Sequence, residues 1–272
     1  MIASTWQWLT DPVNWSGPGS IPNQILTHLW YSAIALFVAS LIAIPAGLAI
    51  GHTGRGRFFG VNLAAAARAI PSLGLLFLMV LWLFPKFSGS SGSAAFVVPS
   101  LIVLAVLAIP PILAGAYAGV EGVDPAARDA AKGMGMTGMQ VLRRVEIPNA
   151  MPLIFSGFRS ATLQVIATAT LAAVVGADGL GRFLIDGQKI RDYPQMAGGS
   201  LVVAILALVV DLLLGTIQRY AVSPGLTGRR TSASRRGRSD GVSGSAESAG
   251  RSNTPLDVEI SDPRRTVDSQ PS

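Results

Sequence analysis

Five apolar runs, most of them as long as a lipid bilayer is thick, limit what this chain can fold into more than any other feature. In hydrocarbon, every backbone N–H and C=O group must be hydrogen-bonded within the protein, so spanning segments are α-helices or closed barrels. One helix crosses the bilayer core with about 20 apolar residues. The sequence therefore predicts an all-α, polytopic membrane protein with five transmembrane helices at residues 29–50, 58–84, 94–118, 159–175 and 195–217.

Prolines within and beside these runs predict where the helices bend or end. The second run is longer than one span needs, and Pro71 within it predicts a kinked or broken helix. Pro110 and Pro111 predict the end of regular helix near the far end of the third span. The segment 147–157, which contains Pro148 and Pro152, is predicted to lie at the membrane interface.

The charged residues exclude several functions. Only 13% of the residues are charged, against about a quarter in soluble domains, so the lipid bilayer is the first expected partner. Nine arginines lie in the last fifth of the chain without interleaved aromatic residues, which favours a solvated tail over a nucleic-acid site. The chain has no cysteine, and its two histidines, His28 and His52, are interpreted as interfacial side chains. We expect no metal, no cofactor and no catalytic site.

The basic residues between the spans predict the orientation. With the N-terminus outside, seven of them face the cytoplasm (Arg55, Arg57, Arg68, Arg128, Lys132, Arg143 and Arg144) and four face outwards (Lys86, Arg182, Lys189 and Arg191). The predicted organisation is an extracytoplasmic or interfacial segment at 1–27, a transmembrane domain at 28–220 and a cytoplasmic tail at 221–272. The tail is rich in Ser, Gly and Arg, and this composition predicts disorder.

A polar stretch from residue 124 to 148 interrupts the apolar sequence, within a predicted cytoplasmic loop at 119–148. Asp124 followed by Pro125 is typical of the start of a helix. Gly133 and Gly135 offer that helix an early exit, and Gly135 is interpreted as a backbone hinge. Thr137 and Gln140 have the spacing of a capping box, which predicts a second short helix that Pro148 limits. The first helix has too little apolar surface to be stable alone, so we expect it to need a partner.

This stretch resembles the Glu-Ala-Ala loop of permease subunits of bacterial ABC importers. That motif is Glu-Ala-Ala, three residues, Gly, nine residues and Ile-x-Leu-Pro. The chain has Asp129-Ala130-Ala131, then Gly135, then Val145-Glu146-Ile147-Pro148, with the spacing unbroken. Asp129, Val145 and Ile147 depart from the motif conservatively.

Other segments resemble the osmoprotectant branch of these permeases, which imports glycine betaine, carnitine, choline or proline. They include Ala-Ile-Pro-Ser-Leu at 69–73 and Gly-Ala-Asp-Gly-Leu-Gly at 176–181. The resemblance covers about residues 28 to 220. It implies a permease fold of the type I importer kind and an assembly of two permeases, identical or related, with two cytoplasmic ATPase subunits and an extracytoplasmic substrate-binding protein.

In such importers the polar loop is a coupling helix that docks on the ATPase subunit. The resemblance therefore implies ATPase-coupling roles for Asp124, Pro125, Ala127, Arg128, Asp129, Ala130, Ala131, Gly133, Gly135 and Pro148. Arg128 and Asp129 either contact the ATPase or pair with neighbours at helical spacing. ATP hydrolysis is expected in the separate subunit, because the chain has no Gly-x4-Gly-Lys-Ser/Thr phosphate loop. An importer for another solute, such as an amino acid, and a secondary transporter are the alternatives.

The remaining candidates are polar residues in or beside the spans. Arg159 and Asp211 are predicted to form an intramembrane ion pair, with a gate or a substrate contact as the alternative. Four further residues on the fourth span either line the translocation pathway or form hydrogen bonds between helices. These are Thr162, Gln164, Thr168 and Thr170.

Overall fold

A computed structural model describes residues 1–56, 69–87 and 94–221, and within these ranges the chain is helical, without strands. The α-helices are α1 (Ile2–Thr10), α2 (Ile21–Thr53), α3 (Ser72–Phe87), α4 (Ala94–Glu121), α5 (Pro125–Gly133), α6 (Gly138–Val141), α7 (Ile147–Ala169), α8 (Gly181–Ile190) and α9 (Tyr193–Ala221). A π-helical segment, Leu142–Glu146, joins α6 to α7, and 3-10 segments cover Pro12–Trp15 and Thr170–Val175. The all-α, polytopic fold predicted from the sequence is confirmed.

Four helical stretches are long and apolar enough to cross a membrane: Ile21–Thr53, Ala94–Glu121, Gly138–Val175 and Tyr193–Tyr220. The predicted second span corresponds to α3, an apolar helix of 16 residues that begins directly after Pro71. The helix break predicted at this proline is therefore confirmed. The first part of that predicted span, with Arg57 and Arg68, lies outside the described residues, as does the predicted disordered tail from residue 222.

Several predicted helix ends were wrong. Pro110 and Pro111 lie inside α4, which continues to Glu121. Pro148 does not limit the second short helix, because the chain passes through the π segment and Pro148 lies in the first turn of α7. Pro152 lies inside the same helix, so residues 147–157 belong to a long helix, and their predicted place at the membrane interface stays a prediction.

The physical reason is that a proline inside a helix leaves one backbone carbonyl without its usual donor, and a side chain from another helix can donate to that carbonyl instead. Pro111 has no N–H to bond the carbonyl of Leu107, four residues earlier, as a regular helix requires. Gln164 of α7 donates its side-chain amide to that carbonyl instead, at 3.1 Å. The segment 176–194, predicted to be a loop, contains α8, and the first span begins earlier than predicted, at Ile21.

Helix α4 lies at the centre of the bundle and packs against α2, α3 and α7. Just over half of its most apolar stretch is buried, against 6% for α9. Its main core with α2 and α7 is rich in alanine, including Ala39, Ala108 and Ala161, each fully buried. Alanine suits such a core, because membrane helices gain stability from close van der Waals packing rather than from leaving water.

Glycines let the backbones approach at the tightest crossings of α4. A Cβ built on Gly115 would lie 2.7 Å from the carbonyl oxygen of Leu153 and 2.8 Å from the Cα atom of Gly157. On the opposite side, a Cβ on Gly47 would lie 2.7 Å from the Cβ atom of Ala116. These glycines therefore set the spacing of α2 and α7 from α4.

The N-terminal segment packs on the last helix. Trp8 of α1 contacts Gly198 of α9 and meets the Phe183 ring edge-to-face at 5.2 Å between centroids. Trp6 and Trp15 stay exposed, as expected of aromatic side chains in the headgroup region. Residues 1–20 thus cover one end of α9 instead of standing apart from the bundle.

We predict that Gly115→Ala destabilises the bundle, because the added methyl group forces α4 and α7 apart. Overpacked sites typically cost about 1–3 kcal/mol. The melting temperature of the detergent-solubilised protein reports this change. Gly74→Ala on α3 is the matched control, since its Cβ would meet only the Pro71 ring, at 3.5 Å. Equal melting temperatures for the two variants would contradict the assignment.

Candidate functional site

The polar loop forms a helix–elbow–helix at one end of the bundle. Asp124 caps α5 by accepting the backbone N–H of Ala126 at 2.9 Å, and Pro125 is its first residue. Gly135 has φ of +81°, a left-handed conformation that suits glycine. The backbone N–H of Thr137 donates to Gln140 Oε1 at 2.8 Å, which completes the capping box. The local structure predicted for residues 124–141 is confirmed.

Most residues that the motif assigns to coupling lie on the outer surface of this loop. Asp124, Pro125, Ala127, Asp129, Ala130, Gly133, Gly135 and Pro148 are exposed, Arg128 is half-buried and Ala131 is buried. Ala131 is the only buried residue of α5, so the fully buried apolar contact of this helix is limited to one small side chain. Met134 and Met139, which were not singled out in the sequence, are 73% and 56% exposed beside the elbow. We call these two exposed methionines the apolar tip of the otherwise polar helix pair.

Arg128 points inward and pairs with residues outside its own helix, not with neighbours at helical spacing; its predicted contact with the ATPase stays a prediction. Its Nε lies 3.0 Å from Glu146 Oε1, and its Nη2 donates to the backbone carbonyl of Val120. Glu146 Oε2 also lies 2.6 Å from His52 Nδ1, at the end of α2. We call these three side chains, Arg128, Glu146 and His52, the Glu146 network.

The carboxylate of Glu146 is 2% exposed, so its charge depends on these two partners. Losing one partner of a buried ion pair typically costs about 3–5 kcal/mol, because the other charge stays buried without compensation. From the sequence alone, Glu146 stands out only as a motif position, and His52 is interpreted as interfacial. The sequence does place an acidic residue just before one span and a histidine at the end of another, and these two positions are the signals that could have indicated the contact.

Arg159 and Asp211 contact each other across α7 and α9. Arg159 donates through Nε to Asp211 Oδ1 and through Nη2 to Oδ2, the latter at 2.5 Å. This two-pronged geometry matches the planar guanidinium to the carboxylate. Gly215, one turn after Asp211, lies beside the guanidinium, and a Cβ there would make an ordinary van der Waals contact with its Cζ atom, at 3.5 Å.

The four polar residues of α7 and the 3-10 segment are hydrogen-bonded to backbone carbonyls. The hydroxyls of Thr162, Thr168 and Thr170 donate to carbonyls three or four residues earlier, and Gln164 bridges to α4. Thr168 also lines a small cavity with Ser72 and Ser100. Of the four residues, Thr168 is thus the one that lines this cavity.

At the opposite end of the bundle, His28 is buried rather than interfacial. The side chain is 1% exposed, and its Nε2 atom lies 3.0 Å from the Ile166 carbonyl. Because a carbonyl only accepts, Nε2 must carry the proton. Helix α7 becomes a 3-10 helix at Thr170, so the Ile166 carbonyl loses its usual partner and His28 supplies one. Gln24 accepts the Gly179 N–H at 2.6 Å nearby.

The described residues contain no group of three or more His, Asp or Glu side chains that could hold a metal ion. The polar side chains described above are paired with each other or with backbone groups. This arrangement supports a scaffold with a polar docking loop.

Comparison with known proteins identifies the family. Residues 39–225 match the family described as binding-protein-dependent transport system inner membrane component. The chain is 32% identical over 203 residues to the glycine betaine/carnitine/choline transport system permease protein OpuCB of Bacillus subtilis, covering 75% of this chain and 89% of that protein. It is 34% identical over 211 residues to the osmoprotectant import permease protein OsmW of Salmonella typhimurium, covering 76% and 94%.

Among solved structures, the chain resembles the inward-facing MetNI methionine ABC transporter with a TM-score of 0.64. The match covers 79% of this chain and all of the other, at 22% sequence identity, so it shows the fold alone. The family match spans more than half of the chain and the relatives are matched over most of their length. The chain belongs to the binding-protein-dependent transport system inner membrane components, the permease subunits of ABC importers.

Proposed function

We propose that this chain is the membrane-spanning permease subunit of an ATP-driven importer of osmoprotectants such as glycine betaine, carnitine, choline or proline. The observation that carries the proposal is the 32–34% identity to glycine betaine, carnitine, choline and osmoprotectant permeases over about three quarters of the chain. The likeness to the methionine transporter is lower in identity, so an amino-acid importer is not favoured. A secondary transporter would have no use for the exposed helix–elbow–helix.

We infer that the helix–elbow–helix faces the cytoplasm and docks on a separate ATPase subunit. Its exposed polar face and its apolar tip, Met134 and Met139, support this assignment. Methionine is a flexible apolar side chain that fills irregular clefts well. The N-terminus then lies outside and the C-terminus in the cytoplasm, in agreement with the distribution of basic residues. The chain itself supplies the pathway and no hydrolysis.

On the outer side, an open cleft lies between the start of α2 and α8, lined by Gln24, Thr27, Asp178, Arg182, Asp186 and Gln195 among others. We propose that this surface meets the substrate-binding protein. Helix α9 leaves most of its apolar surface exposed, which supports contact with lipid and with a second permease. Of the four candidate pathway residues, Thr168 beside its cavity is the best supported, and Gln164 serves the α4–α7 contact.

Uptake in proteoliposomes tests the proposed function. The chain is co-purified with a candidate ATPase and a candidate binding protein, and uptake of labelled glycine betaine, choline, carnitine and proline is compared with uptake of methionine. We expect ATP-dependent accumulation of at least one of the first four. Failure to associate with an ATPase would end the importer assignment, whereas ATP-dependent uptake of methionine alone would end only the osmoprotectant part.

Coupling is tested by Gly135→Pro and Asp129→Ala. Proline fixes φ near −65°, which the elbow at +81° cannot adopt, and Asp129 is the motif acid on the exposed face. We expect both variants to insert normally but to hydrolyse ATP without matched import. Gly135→Asn is the control, because asparagine tolerates the left-handed conformation. Import per ATP equal to that of the unmodified protein in both test variants would refute the coupling role.

We propose that the Arg159–Asp211 pair fixes α9 to α7 and is not a gate. Arg159→Ala and Asp211→Ala should each lower the melting temperature, since each leaves one charge without its partner. The double variant should then lose less than the sum of the two single losses. Strictly additive losses, or a change of substrate preference with unchanged melting temperatures, would argue for the gate.

A further inference from the structure

The Glu146 network is the place where α5 is tied to the membrane helices by charge. Glu146 belongs to the π segment that leads into α7, and His52 to the last turn of α2. Arg128 belongs to α5 and also bonds the Val120 carbonyl in the last turn of α4. Two charged side chains therefore connect four separate elements at one end of the bundle.

The apolar packing of α5 cannot do the same. Ala131 is its one buried residue, and the helix otherwise packs mainly against α6 and the π segment. With so little buried apolar surface, packing alone does not fix the position of α5 relative to the spans. The ion pair between Arg128 and Glu146 restricts that movement, together with the directional hydrogen bonds from Arg128 Nη2 to the Val120 carbonyl and between His52 and Glu146.

We propose that the Glu146 network is the mechanical link through which α5 moves the ends of α2 and α7 during transport. Arg128 and Glu146 are then coupling residues that act inside the permease, and Arg128 does not contact the ATPase. The inference rests on the proposed function, since it assigns the step that follows docking of the helix–elbow–helix. It covers a buried residue, Glu146, to which the motif gives no role.

The geometry favours movement of the three side chains of the Glu146 network together over separation of Arg128 from Glu146. The Glu146 carboxylate is almost completely buried and sits between His52 and Arg128. Pulling Arg128 away would leave that carboxylate, which is 2% exposed, with His52 as its remaining partner in the network, which is unfavourable. Displacing α5 therefore carries the π segment and the end of α2 with it. The π segment suits this role, because π turns are local and often occur at functional positions.

The test uses the full chain reconstituted with its ATPase and binding protein, and it compares Glu146→Gln, Arg128→Gln and the double variant. Each substitution replaces the charged group with a neutral amide, which matches the size of the Glu146 carboxylate and is shorter than the Arg128 guanidinium. Arg144→Gln is the matched control, because Arg144 is an exposed arginine of the same π segment. Three quantities are measured: co-purified ATPase, ATP hydrolysis with and without substrate, and substrate imported per ATP hydrolysed.

We expect the single variants to retain the ATPase and its hydrolysis but to import about five-fold less substrate per ATP, or lower still. The double variant should be no worse than the more severe single variant, because the two residues act as one unit. Arg144→Gln should import as much per ATP as the unmodified protein. A purely structural role would lower the amount of complex without changing this ratio.

Three results would overturn the link. They are normal import per ATP in both single variants, losses that simply add in the double variant, and loss of ATPase association in Arg128→Gln, which would make Arg128 a docking residue. If Glu146→Gln fails to insert, the test uses Arg128→Gln and His52→Asn instead. Normal import per ATP in both of these variants would then overturn the proposed link. Failure of the unmodified complex to bind an ATPase would instead refute the proposed function itself.

A second measurement follows the movement directly. The chain has no cysteine, so spin labels can be placed on Thr53→Cys and Tyr220→Cys, at the exposed ends of α2 and α9. We expect the distance between the two labels to change when ATP is trapped in the complex. Glu146→Gln should abolish most of that change, and an undiminished change in this variant would reject the link.

Discussion

Every backbone carbonyl within a membrane needs a hydrogen-bond donor from the protein, and this constraint determines how the helices of the bundle are joined. At three places among the described residues, a side chain from another helix donates to a backbone carbonyl at an irregular turn or a helix end. Gln164 bonds the Leu107 carbonyl, which Pro111 cannot reach. His28 bonds the Ile166 carbonyl, and Arg128 bonds the Val120 carbonyl. The helices of this fold are thus joined by hydrogen bonds at positions where the helix geometry is irregular or the helix ends.

These contacts also explain why the long stretch from Gly138 to Val175 keeps its shape. It changes from α to π to α to 3-10 geometry along its length. The two histidines of α2 contact it where it departs from the α-helix: His52 bonds Glu146 in the π segment, and His28 bonds Ile166 just before the 3-10 segment. Helix α2 therefore supports its neighbour at both ends, while small residues set the distance between them and α4.

Patterns within one segment could be predicted from the sequence, and contacts between segments could not. The start of α5 at Asp124 and the elbow at Gly135 depend on local chemistry, and the structure agrees with both. The continuation of α4 through Pro110 and Pro111 depends on Gln164, more than 50 residues away, so proline rules alone gave the wrong end. For the same reason His28 was interpreted as interfacial, since only the fold places it against Ile166.

In helix α9, which buries the least apolar surface of the candidate spans, hydrogen bonds and an ion pair to neighbouring helices matter most. With 6% of its apolar stretch buried, it gains little from van der Waals contact with the bundle. Polar contacts at several depths hold it instead: Gln195 donates to the Phe183 carbonyl, Asp211 accepts from Arg159, and Gln218 donates to the Pro152 carbonyl. Directional contacts fix the rotation of a helix as well as its distance. The apolar face that α9 turns away from the bundle is therefore set by these polar residues, and it is this face that stays exposed.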